Sequence, residues 1–140
     1  MINFLIVTHG EFGAYLVEAA EAIVGAQPDG VRIVSISPRH SIDIIRESIV
    51  AGLKGLDTPD GVVVVSDMPG GTPTNVALPL VKDSPNIRMV SGLNLYMLIV
   101  AFTRRSSAPL DEVVSKMVDD GRKSIQDVKK LLEAHRSSGK

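Results

Sequence analysis

A chain of 140 residues with 44% apolar and 22% charged side chains can bury one core and has the balance of an ordinary water-facing domain. Its formal charge of −1 offers no basic field for nucleic acid, and three Phe, two Tyr and no Trp supply no aromatic strand on which bases could stack. Cysteine is absent, which excludes disulfides, thiol catalysis and thiolate metal sites.

INFLIV (residues 2–7) is a continuous apolar run, the pattern of a strand covered on both faces, and Thr8, His9 and Gly10 interrupt it. Residues 12–24 carry Leu16, Ala19, Ala20 and Ile23 on one helical stripe. QPDG at 27–30 is a turn in which proline presets φ and glycine accepts positive φ, and it leads into a second strand, VRIVSI. Residues 40–53 repeat the helical pattern with Ile42, Ile45, Ile49 and Leu53, opened by Arg39 and His40. TPDG at 58–61 turns into VVVV, a third fully apolar strand. A helix over 72–81, the turn DSPN and a fourth strand, IRMV, follow.

Residues 93–103 are apolar nearly all round and predict a buried helix. Their apolar stretch is only about half a membrane span, and no basic segment precedes the first apolar run, so no membrane insertion and a cytoplasmic location are expected. Residues 107–118 are helical by the spacing of Leu110, Val113, Val114 and Met117. Residues 122–136 read as a last helix with Ser124 as N-cap and Asp127 three residues on, before a frayed tail at 137–140. Strands alternating with helices across short turns require right-handed crossovers. The expected fold is therefore α/β: an open, doubly wound, mostly parallel four-stranded sheet with helices on both faces, in one domain over residues 1–136.

In such a sheet, ligands bind beyond the carboxyl ends of the strands. His9 falls there, with Gly10 beside it to allow close backbone approach. A histidine that only ends a strand and bonds a carbonyl is the competing reading, and the loop SDMPGGTPTN weighs against it. Asp67 follows the third strand at the same edge. A carboxylate that accepts Nδ1–H fixes the imidazole tautomer, leaves Nε2 as a nucleophile and stabilises the cation formed there. Gly70 and Gly71 offer unhindered backbone N–H groups, while Thr72 as N-cap and Pro73 at the first helical position make a helix N-terminus suited to an anion. The loop is not a P-loop, because the lysine and spacing of that motif are missing. His40 and His135 lack partners at metal spacing, and no G-x-S-x-G elbow supports a serine hydrolase. What remains is phosphoryl transfer to a histidine, without metal, in a site open to a partner protein.

LIVTHGEFG, SDMPGGTPTN and VSGLNLYML, in that order and spacing up to about residue 120, resemble the IIA component of the mannose-family, phosphoenolpyruvate-dependent sugar phosphotransferase system. The resemblance implies a cytoplasmic homodimeric phosphocarrier, a phosphotransferase that needs no cofactor. His9 would accept a phosphoryl group from the phosphocarrier HPr and pass it to a IIB component in sugar uptake. It assigns Asp67 as the carboxylate paired with the imidazole, Thr72 as the hydroxyl that contacts the phosphoryl group, and Gly70 and Gly71 as backbone donors. Asn94, where a helix begins near the same edge, joins Gly10 in shaping the pocket. Two other roles are compatible with the same residues. One is a regulatory protein whose His9 phosphorylation controls a partner; the other is the phosphotransferase subunit of dihydroxyacetone kinase, whose equivalent loop lacks Gly-Gly-Thr-Pro. Pro69 and Thr74 depart from the family pattern, which favours a bulky apolar or aromatic residue before Gly-Gly and an apolar one at position 74. The family's fifth, antiparallel edge strand, exchanged between subunits, would fall near GRKSIQDVK (residues 121–129), which by pattern is helix.

Overall fold

Alternation along the first strand, β1 (Asn3–His9), sends Phe4 and Ile6 into one core and Leu5 and Val7 into another. β3 (Val62–Ser66) divides in the same way, with Val63 and Val65 on the first face and Val62 and Val64 on the second. Residues 4–7 and 62–65 are therefore apolar without interruption because each face is covered. The computed structural model, which describes residues 1–138, adds β2 (Val31–Ile36) and β4 (Ile87–Val90) to give an all-parallel sheet in the order β2-β1-β3-β4.

Six helices complete the described chain: α1 (Phe12–Val24), α2 (Ile42–Leu53), α3 (Thr72–Val81), α4 (Leu95–Arg104), α5 (Leu110–Lys123) and α6 (Val128–Ser138). Side chains of α1, α4 and α5 fill the core on one face, and those of α2 and α3 the core on the other. This is the doubly wound architecture expected from the alternation of strands and helices. α4 is buried through Met97, Leu98, Val100, Ala101 and Phe102, as its all-round apolarity predicts. No helix among the described residues is long and apolar enough to cross a membrane.

Three details differ from the sequence pattern. The buried residues of α1 are Gly13, Val17 and Ala20; of the expected stripe Ala20 is buried and Leu16 packs against the core, while Ile23 is exposed. The reason is Gly13: a Cβ there would lie 2.8 Å from Thr8 Oγ1, so the glycine lets the helix seat directly on β1 and sets its rotation. Arg39 and His40 do not open α2; Ser41 does, accepting the Ile44 N–H at 3.2 Å. Finally, Arg122 and Lys123 end α5 and Ser124 bonds back to the Gly121 carbonyl, while Asp127 accepts the Lys130 N–H and starts α6. Among the described residues the sheet has four strands, and residues 121–129 form no fifth. Residues 139–140 of the expected tail lie outside the described residues.

Candidate active site at the switch point of the sheet

The chain winds outward in opposite directions from β1 and β3, so the crevice between their carboxyl ends is the switch point of the sheet. His9 is the last residue of β1 and Asp67 the first after β3. One carboxylate oxygen holds the histidine twice: Asp67 Oδ2 lies 2.7 Å from His9 Nδ1 and accepts the His9 backbone N–H at 2.8 Å. The pair is asymmetric in exposure. The Asp67 side chain is 8% exposed and that of His9 48%, so a nearly buried anion presents a half-exposed ring. Nε2 makes no hydrogen bond among the described residues.

The loops around this pair are braced from within. Gly10 takes φ +63°, a conformation that favours glycine, and donates to the Ile36 carbonyl at 2.7 Å, which ties the end of β1 to β2. Thr8 is fully buried, its hydroxyl donating to the Gly10 carbonyl at 3.0 Å and accepting the Gly13 N–H at 3.3 Å. On the other side Thr74 Oγ1 donates to the Met68 carbonyl and bonds Ser66 Oγ, both at 2.6 Å, and Asn75 Nδ2 donates to the Gly70 carbonyl at 3.1 Å. Thr74 thus turns its hydroxyl inward to hold the loop. Thr8, Ser66, Thr74 and Asn75 are the supporting residues that the sequence pattern did not mark; a polar residue closing an apolar strand was the available signal for Thr8 and Ser66.

Gly71, not Thr72, is the N-cap of α3, and Thr72 and Pro73 form its first turn. Gly71 lies against the imidazole: a Cβ there would be 3.0 Å from His9 Cε1 and 3.1 Å from Met68 Cγ. Gly70 takes φ +74° in open space. The start of α3, with its unpaired N–H groups, therefore lies beside the ring, where an anion is favoured. Asn94 sits further along the edge. It caps α4 by accepting the Met97 N–H at 3.0 Å and lines a cavity of about 410 Å³ with Pro69, Ser91, Gly121, Arg122 and Ile125. Among the described residues no group of three His, Asp or Glu side chains is placed to hold a metal ion.

Fold and site together define a class: an open α/β protein that presents a carboxylate-held imidazole at its switch point, over a helix N-terminus. A family model described as the fructose IIA component of the phosphotransferase system, the EIIA mannose family, matches residues 3–118. The chain is 32% identical over 129 residues to the mannose-specific EIIAB component of Escherichia coli (strain K12), an alignment that covers 91% of the chain and 40% of that protein's length. It is 26% identical to the fructose-specific EIIA component of Bacillus subtilis, over 95% of the chain and 90% of the relative. Its fold is similar to the crystal structure of a phosphotransferase system component EIIA from Streptococcus agalactiae, with a TM-score of 0.81, 29% identity, and coverage of 93% and 99% of the two chains. The chain belongs to the EIIA mannose family of the sugar phosphotransferase system.

Proposed function

We propose that this chain is a phosphocarrier in which His9 Nε2 takes a phosphoryl group from phosphorylated HPr and passes it to a IIB component in sugar uptake. The observation that carries the reading is the double hold of Asp67 Oδ2 on His9. With Nδ1–H donated to the carboxylate, the lone pair stands on Nε2, the exposed side of the ring. Nε2 attacks phosphorus in line, the N–P bond of the donor histidine breaks, and the donor ring keeps the electron pair. The His9 ring then carries positive charge while Nδ1–H still faces Asp67, which stabilises the new cation. Gly70, Gly71 and Thr72, at the start of α3, receive the phosphoryl oxygens by backbone N–H groups and the Thr72 hydroxyl.

Phe12, Met68 and Tyr96 are large apolar side chains left half-exposed in the loops and helix starts that follow the strands, at the same sheet edge as His9. Such a rim suits a protein partner better than a small anion. The pairing of two copies and a cytoplasmic site of action belong to the same family reading. The outer edges of β2 and β4 have no strand partner among the described residues and are open to a second copy; light scattering of the purified protein tests the pairing. The relay itself is tested with radiolabelled phospho-HPr in rapid-quench transfer. Label moves to the wild-type chain, leaves it when a IIB component is added, and never enters His9→Ala. Label that fails to leave for any IIB component contradicts the uptake role.

A further inference from the structure

We infer that Arg39 is the residue that attracts the incoming phosphoryl group to His9, an inference that rests on the phosphocarrier reading above. The loops that follow the four strands carry Gly10 and Glu11, Ser37 to Ser41, Asp67 to Gly71, and Ser91 to Asn94. Among these, Arg39 is the one permanently cationic residue, against the two carboxylates Glu11 and Asp67. A transferred phosphoryl group brings about two negative charges toward loops whose own formal charge is negative, so a positive group among them has a large part in the approach.

The position of Arg39 is built. His9 is paired in register with Ile36, and Gly10 N–H bonds the Ile36 carbonyl at 2.7 Å, so the loop that begins at Ser37 adjoins the strand end that carries the imidazole. Residues 37–40 close a turn by His40 N–H to the Ser37 carbonyl at 3.0 Å, with Pro38 at the position where its fixed φ suits the turn. The Ser37 hydroxyl accepts the Arg39 N–H at 3.2 Å, and His40 Nδ1 accepts the Ser37 N–H at 3.3 Å. Three bonds and a proline hold this turn, yet the Arg39 side chain is exposed and forms no ion pair among the described residues. By contrast Arg32, Arg46, Arg88 and Arg105 each donate to named acceptors elsewhere. Arg122, the other arginine at this edge with no ion pair among the described residues, stands on α5 and lines the cavity beside Asn94, past β4, rather than the loop that adjoins His9. A hydrogen-bonded turn that carries an uncommitted cation in the loop adjoining the nucleophile's strand end serves the anion that is coming.

Arg39 acts at long range on encounter rather than on the chemical step. The test compares wild type with Arg39→Gln, Arg39→Lys and, as a remote control, Arg136→Gln on α6, using phospho-HPr as donor across a series of salt concentrations. Arg39→Gln lowers kcat/KM about two- to fivefold at low salt, mainly through KM, and the difference shrinks as added salt shortens the screening length. Arg39→Lys keeps most of the rate and Arg136→Gln all of it. Arg39→Gln transferring at the wild-type rate at low salt, or a loss that salt does not reduce, overturns the assignment while the phosphocarrier reading stands. A wild-type chain that accepts no phosphoryl group overturns the reading and the inference together.

Discussion

Asp67→Asn is the substitution that most sharply separates orientation of the imidazole from its charge. Asp67 Oδ2 takes both His9 N–H groups, at 2.7 and 2.8 Å, and Oδ1 is buried with no partner among the described residues. An asparagine oxygen in the Oδ2 place keeps both bonds, now to a neutral acceptor. Its amide nitrogen then occupies the Oδ1 place, where an unsatisfied buried donor costs about 1–3 kcal/mol. The flipped amide avoids that cost only by turning N–H groups toward His9, which draws the ring into the tautomer with Nε2 protonated and no nucleophilic lone pair there. In either orientation the bond that strengthens as the ring becomes cationic has lost its charge. Such charge assistance amounts to about 1.5–3 kcal/mol, or roughly ten- to hundredfold in rate. Single-turnover transfer from saturating phospho-HPr measures it, with circular dichroism and a thermal melt to verify the fold. Transfer at the wild-type rate in a folded Asp67→Asn variant would refute the reasoning.

Three other substitutions probe the supports. Gly71→Ala places a methyl 3.0 Å from His9 Cε1 at an ordinary φ of −83°, so transfer slows about tenfold by displacement of the ring while urea unfolding changes by about 1 kcal/mol or less; a normal rate would mean the ring does not need that clearance. Thr74→Val removes the hydroxyl that joins Ser66 to the Met68 carbonyl and lowers stability by about 1–2 kcal/mol, with slower transfer, in the same pair of assays. Arg105 is 3% exposed, donates to the Ile2 carbonyl, Gln27 and Asn3, and lies over the Phe4 ring; burial lowers its pKa and Asp29 opposes that shift. Arg105→Met strands those acceptors and lowers the unfolding free energy by about 2–4 kcal/mol in urea titration, with transfer by the folded protein unchanged.

The layers were legible because burial on both faces leaves no alternation to misread: VVVV and FLIV can only be inner strands of a covered sheet. The pairing of His9 with Asp67 was legible in outline, since parallel topology brings every post-strand loop to one edge. Its geometry was not. That a single oxygen serves both N–H groups, and that Oδ1 is buried without a partner among the described residues, depends on how β1 and β3 align across 58 positions of sequence. The helix starts were misread at Thr72, Arg39 and Ser124 because a cap is decided by which side chain reaches a free N–H, and several neighbours compete for it. The buried face of α1 extends to Gly13 and Val17, beyond the expected stripe, because Gly13 is small against Thr8, and an absent side chain has no hydrophobic period.

The central claim is that β1 ends at His9 to present a nucleophile, and site mapping after phosphorylation tests it most directly. The purified chain is incubated with phosphoenolpyruvate, enzyme I and HPr, then examined by intact mass and by fragmentation under conditions that preserve phosphohistidine. The account predicts one acid-labile phosphoryl group, on His9, absent from His9→Ala and bonded to Nε2. Phosphate on His40 or His135, or none from an HPr shown to be active, would contradict it.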